Sequence, residues 1–239
     1  MRLVFSGSVP KHTAYAEANE DHFKISANEN RIALCDGASE SFNSKLWAEL
    51  VADAFVSNPR IGPEWLKTIT GKYVQAHDFH SMSWSQQSAF ERGSFSTLLG
   101  LEFQKKSRRI KVVSIGDCIA LLFNGKVLVD SWPFDDIDSF KARPTLLSTI
   151  AAYNEFLDKP AFKKNLYKVF KLAELDNPIL LCMTDALGEW ALDKAINNDD
   201  QISELLDVNS SEALTELVLK ERATNSMRID DSTLLKLTF

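Results

Sequence analysis

Cysteine is scarce: Cys35, Cys118 and Cys182 are the only three, each sits inside an apolar run, and none forms a Cys-x-x-Cys pair. That spacing gives no zinc site, and an odd, buried set reads as free thiols in a reducing compartment. Histidine is also sparse, with four residues. His77 and His80 lie three apart with no third ligand in view, so a solvated helix face is the reading there. No apolar run approaches the ~20 residues that a membrane-crossing helix needs. Met1 to Pro10 has no basic start followed by a long apolar stretch, so no signal peptide is expected. A glycine-rich phosphate loop of the Walker type is missing. Basic residues are outnumbered: 27 Lys and Arg face 33 Asp and Glu, for a net charge of -6. That balance argues against nucleic acid and anionic membrane as main partners. The expectation is a soluble, cytoplasmic protein of one domain spanning residues 1–239.

What the chain does have is strand-like apolar runs and two groups of helical patterns. Arg2 to Ser6 reads as a strand, and Phe23 to Ser26 with Arg31 to Asp36 reads as a hairpin. Leu46, Trp47, Leu50, Val51, Ala54 and Phe55 recur at helical spacing up to Asn58-Pro59. A second helix is expected from Pro63-Glu64 towards His80, and Met82 to Arg92 reads as a polar loop or a helix. Phe95 to Phe103, Ile110 to Ile115, Ile119 to Phe123 and Lys126 to Val129 read as four strands of an antiparallel meander, with Asn124-Gly125 as a two-residue turn. From Ser131 to Asp176 the strand pattern stops, and the expectation is a partly helical insertion near 131–176 that packs on one end of the sheets. Ile179 to Thr184 is a strand, Glu189 to Ile196, Gln201 to Leu206 and Glu212 to Arg222 are helices, and Ser232 to Phe239 closes the chain as a strand. The fold class that follows is α+β: a central β-sandwich of two antiparallel sheets flanked by α-helices.

Carboxylates recur at the ends of these strands. Ile32-Ala33-Leu34-Cys35 stops on Asp36-Gly37, Val112 to Gly116 stops on Asp117, and Ile179 to Thr184 stops on Asp185. Asp230-Asp231 opens the last strand. Any one of these is plainly read as a turn former. Four together, brought to one rim of a sandwich, make an all-oxygen site of the kind that hard divalent cations such as Mg²⁺ and Mn²⁺ choose. Glu20-Asp21 and the Gly37 carbonyl are further oxygen donors for such a site. Two ions ~3.5–4 Å apart hold a water between them and lower its pKa towards ~7, which suits phosphate ester hydrolysis. His22, next to Asp21, is a candidate acid/base residue, with a structural role the plainer reading.

The order Asn19-Glu20-Asp21, Asp36-Gly37, Gly93-Ser94 with Ser96-Thr97, Gly116-Asp117, Thr184-Asp185-Ala186 and Asp230-Asp231-Ser232-Thr233 resembles the metal-dependent protein phosphatases, the phosphatase 2C-like or PPM family, over nearly the whole chain. A divergent, bacterial-type member is the expectation. The resemblance implies a β-sandwich flanked by pairs of antiparallel helices and a serine/threonine protein phosphatase that uses two divalent cations. It implies Asp36 as bridging ligand with Gly37 as carbonyl partner, Asp185 and Asp230 as the remaining ligands of the first ion, and Glu20 and Asp21 near the second. Asp117 with Asp185 would bind a third ion, as in some members. Asp36 and Asp185 are the residues on which turnover would depend most. A phosphorylated protein substrate and a cognate serine/threonine kinase are the implied partners.

The chain departs from the family at several points. The arginine that grips the substrate phosphate, four residues before the Glu of the acidic pair, is Ala16 here, with Lys11, His12 and Arg92 as the cations able to replace it. The histidine that follows Asp-Gly in many eukaryotic members is Ala38, and Ala186 stands where a glycine is usual. Residues 131–176 match nothing in the family. These departures motivate the alternative, a phosphatase-like binding module that has lost turnover.

Overall fold

In a computed structural model that describes residues 1–239, two five-stranded antiparallel sheets stack face to face. The strands are β1 (Arg2–Val9), β2 (His22–Ile25), β3 (Arg31–Cys35), β4 (Phe95–Ser96), β5 (Leu98–Gln104), β6 (Arg109–Ile115), β7 (Ile119–Asn124) and β8 (Val127–Trp132). They continue with β9 (Leu147–Ser148), β10 (Tyr167–Lys171), β11 (Pro178–Met183) and β12 (Ser232–Thr238). The helices are α1 (Ser44–Ser57), α2 (Pro63–Gln75), α3 (Trp84–Arg92), α4 (Pro160–Asn165), α5 (Asp185–Ile196), α6 (Gln201–Asp207) and α7 (Ser211–Ala223). One sheet runs β1-β12-β11-β7-β8, the other β10-β6-β5-β3-β2, and β4 with β9 makes a small ribbon. No helix is long and apolar enough to cross a membrane.

The layers follow from side chains that alternate along each strand. In β7, Ala120 and Leu122 face the other sheet and pack with Leu34, Leu99, Val112, Leu180 and Leu235. Its Ile119, Leu121 and Phe123 face the opposite way, against Leu187, Trp190, Leu205 and Leu217 of α5, α6 and α7. On the far side, Ala33, Leu98 and Val113 of the second sheet meet Trp47, Val51 and Phe55 of α1 and Ile69 and Tyr73 of α2. Central strands such as β3, β7 and β11 are buried on both faces, which is why they read as unbroken apolar runs rather than alternating ones.

Three sequence expectations need correction. The run Phe95 to Val129 is not one meander: β5 and β6 pair in one sheet, β7 and β8 in the other. The chain changes sheet at Gly116-Asp117-Cys118, where Gly116 takes φ +99 and a Cβ would stand 2.6 Å from Thr97 Cγ2. Only glycine tolerates both. The segment 131–176 carries the helical turns expected, as the 3-10 stretch Ala151–Asp158 and α4, but it also supplies β10, which pairs with β6 at a sheet edge. Helix α2 stops at Gln75, short of His80. Met82 to Arg92, read as loop or helix, contains α3. Its start is fixed by a capping box in which Gln86 N donates to Ser83 Oγ and Ser83 N donates to Gln86 Oε1.

Candidate metal centre

Asp36 leaves β3 at a point tied down from both sides. Its N–H donates to Thr97 Oγ1 (2.8 Å), and its carbonyl accepts from Thr97 N (2.9 Å). Gly37 N donates to Glu20 O (3.2 Å), and Gly37 bridges to Ser96. The glycine is required by space: a Cβ there would lie 2.9 Å from the backbone of Ser44, at the start of α1. Asp117 lies on the sheet-to-sheet crossing. Asp185 opens α5, where Ala186 N donates to its Oδ1 (2.6 Å) and the helix N-terminus favours a negative charge. Asp230 immediately precedes the Asp231 that leads into β12, and its carbonyl accepts from the buried Arg222 guanidinium.

These pieces come together. Asp36, Gly37, Thr97, Asp117, Asp185 and Asp230 line one cavity of about 160 Å³. The charges act on each other strongly. Burial, then Asp21, Asp185, Asp117 and Asp230, push Asp36 well above the usual carboxylate range. Burial and then Asp185 raise Asp117 to about 6 and lift Asp230 as well. Like charges this close ionise together only when cations balance them.

Glu20 and Asp21 sit around this cavity rather than in its lining. Glu20 accepts from Ser44 Oγ and, at 3.1 Å, from Lys11 Nζ. Asp21 is partly buried, with its Oδ1 shut away from solvent. Its Oδ2 accepts from Thr233 Oγ1 (2.6 Å) and Thr184 Oγ1 (3.1 Å), while its Oδ1 has no partner. Burial raises Asp21 to about 8 against the opposing pull of those two hydroxyls, with Asp231 and Asp185 adding to the rise. His22 belongs to the far side of its sheet. Burial lowers it, and the nearest carboxylates acting on it are Glu49 and Asp53 of α1. His77 is no metal ligand in waiting: it bonds to Tyr73 O (2.7 Å) and Asn43 (2.9 Å) inside a cluster with Phe42 and Phe90.

Arg222 and Arg228 were not singled out from sequence, and Asp231 was read only as the neighbour of Asp230. Asp231 is buried and joins three segments, its Oδ1 accepting from Lys11 N (2.7 Å) and its Oδ2 from Glu20 N (2.9 Å). Arg222 reaches from α7 to the carbonyls of Pro10 (2.9 Å), Val9 (3.4 Å) and Asp230 and to Ser232 Oγ (3.0 Å). Arg228 donates to Asp185 Oδ2 (2.7 Å) and pairs with Glu189 (3.3 Å). An arginine two positions before Asp230, in a run of acids, was the visible signal for the last of these.

The donor set is oxygen only, four cavity carboxylates with the Gly37 backbone beside them, and Asp21 Oδ1 stands buried and unpaired nearby. That chemistry fits a hard divalent cation and not zinc. As placed, no three His, Cys, Asp or Glu side chains form a chelating group, and the cation touching Asp185 is the Arg228 guanidinium.

A wider cleft of about 1040 Å³ adjoins the cavity and shares Ala38, Ser39, Pro144, Leu146 and Asp230 with it. Arg92 and Arg143 lie along this cleft. Lys11, by contrast, is committed to Glu20 and to Ser39 Oγ (2.6 Å), and His12 is exposed.

No family model and no curated protein matches this sequence. Solved structures do match. A bacterial serine phosphatase aligns over 99% of this chain and 98% of its own at TM-score 0.59 and 14% identity. The serine/threonine phosphatase Stp1 from Staphylococcus aureus aligns over 100% and 96% at TM-score 0.56 and 15% identity. The catalytic domain of the serine/threonine protein phosphatase PstP, solved with two manganese ions, aligns over 98% and 96% at TM-score 0.56 and 15% identity. The chain has the fold of these serine/threonine phosphatases, the phosphatase 2C-like fold that its motifs resemble.

Proposed function

We propose that the chain is a divergent member of the metal-dependent protein phosphatase family that hydrolyses phosphoserine and phosphothreonine in proteins. The observation that carries this reading is the convergence of Asp36, Asp117, Asp185 and Asp230, from four distant stretches of sequence, on one small cavity of a phosphatase fold. Asp36, Asp185 and Asp230 with the Gly37 carbonyl would hold two Mg²⁺ or Mn²⁺ ions, with Glu20 and Asp21 beside them and Asp117 with Asp185 available for a third. Bound there, such ions supply Lewis-acid polarisation of the phosphoryl group and activation of water.

The chain's own residues account for the rest. Asp36 is fixed through Thr97 and Gly37 through Glu20, so two donors are pre-oriented by backbone bonds. Arg222 holds the Asp230 carbonyl, and Asp231 keeps the acidic pair against the strand that follows. The adjoining cleft has room for a peptide, and its Arg92 and Arg143 supply the positive charge that Ala16 does not. Arg92 carries one link outside the cleft's own lining, from its Nη1 to Ser88 Oγ (3.1 Å). A phosphorylated protein is thus the substrate proposed, with a serine/threonine kinase as the enzyme that makes it. Three free, buried thiols support a reducing, cytoplasmic setting.

The rival reading, a phosphatase-like binding module without turnover, gains weight from the Arg228–Asp185 ion pair and the absence of a preformed chelating group. One assay separates the two. Phosphate release from a phosphoserine peptide is expected with Mn²⁺, to vanish with chelator, and to fall at least about a hundredfold in Asp36→Asn, the scale on which loss of a key electrostatic group acts. A folded protein that binds Mn²⁺ yet releases no phosphate from peptides or aryl phosphates favours the module.

A further inference from the structure

Both oxygens of Asp185 are already engaged. Oδ1 accepts from Ala186 N at 2.6 Å, and Oδ2 accepts from Arg228 Nη2 at 2.7 Å. The same guanidinium reaches Glu189 through Nε at 3.3 Å, one helical turn further along α5. Glu189 therefore offers the arginine a second post beside the first. Arg228 sits on the short connection between α7 and β12, and its side chain is 49% exposed, against 11% for that of Asp185. The carboxylate is held at the start of its helix, and the arginine is the more exposed partner of the two.

We propose that Arg228 is an internal cation that competes with a divalent ion for Asp185. This rests on the metal reading given above and goes beyond it. The charge-assisted bond to the guanidinium takes one lone pair of Asp185 Oδ2 and sets a positive charge beside any ion bound there, so Asp185 serves a divalent ion fully only once Arg228 has drawn back. Until then Arg228 keeps a largely buried carboxylate from standing unbalanced among Asp36, Asp117 and Asp230. Once drawn back, the guanidinium keeps Glu189 as a partner and is half exposed to solvent, while the incoming ion takes over the balancing of Asp185. The consequence is a metal affinity reduced by the fraction of molecules in which Asp185 is free.

The test is Mn²⁺ titration by calorimetry on the purified protein and on Arg228→Met, which keeps the apolar stem and removes the fork. Arg228→Met is expected to bind Mn²⁺ about tenfold more tightly, within the usual range for coupling between two ligands of one site. Thermal melts provide a second readout. In chelator the variant is expected to melt below the parent, and saturating Mn²⁺ is expected to close or invert that gap, because the tighter binder gains more from its ligand. Equal Mn²⁺ affinities, or weaker binding by Arg228→Met, overturn the competition and leave the metal reading standing. Failure of both proteins to bind Mn²⁺ overturns the two together.

Discussion

Asp117 offers a quantitative check on the carboxylate cluster. Burial and the neighbouring Asp185 raise it to about 6 from an ordinary 3.8. Between those values the unfolded chain has released a proton that the folded protein still holds. Stability present below about pH 4 is therefore lost as pH rises through the folded value. A shift of about two units at roughly 1.4 kcal/mol per unit gives a loss of about 3 kcal/mol. For a chain of this size that is about 6–12 °C in melting temperature. Other groups titrate in the same window, so the informative quantity is the difference between the parent and Asp117→Asn, whose amide stands in for the protonated acid. In chelator the two are expected to melt together near about pH 4, with the parent falling below the variant by that amount as the pH passes about 6. Parallel melting curves across the range, or a parent that gains on the variant, would refute the idea that Asp117 shares a crowded site with Asp185.

Two further substitutions probe the frame of the site. Asp231→Ala strips the acceptor from two backbone amides, those of Lys11 and Glu20, and is expected to cost about 3–5 kcal/mol in denaturant unfolding; a cost under about 1 kcal/mol would show that the buried carboxylate is no staple. Gly37→Ala puts a Cβ 2.9 Å from the Ser44 backbone and is expected to cost about 2 kcal/mol or more, with α1 pushed off the site and Mn²⁺ affinity reduced. A stable, normally binding Gly37→Ala would mean that α1 yields freely there.

The layers were legible because strands buried on both faces, such as Ile119 to Phe123, leave runs of apolar residues that little else explains. Likewise, Asp36, Asp117 and Asp185 were visible as acids that stop such runs. What stayed hidden was pairing. Nothing local in Arg109 to Asn124 says that the turn at Gly116-Asp117-Cys118 crosses between sheets, because a tight hairpin and a sheet change both begin with a glycine of positive φ. Strand β10 was hidden for a related reason. Tyr167 to Lys171 carries two lysines on an edge strand, where charge is tolerated, so its apolar signal is faint. Arg222, Arg228 and Asp231 act through partners up to 220 residues away, and such contacts have no spacing to read. The reason for glycine at 37 was hidden too: the residue has no positive φ and is small because the Ser44 backbone, seven residues on, is close.

The most direct test of a shared ion site is anomalous diffraction from crystals soaked in Mn²⁺. Peaks are expected in the cavity among Asp36, Gly37, Asp185 and Asp230, with the Arg228 guanidinium moved off Asp185. A fully soaked crystal with no peak in that cavity, and Arg228 still bonded to Asp185, would contradict the account.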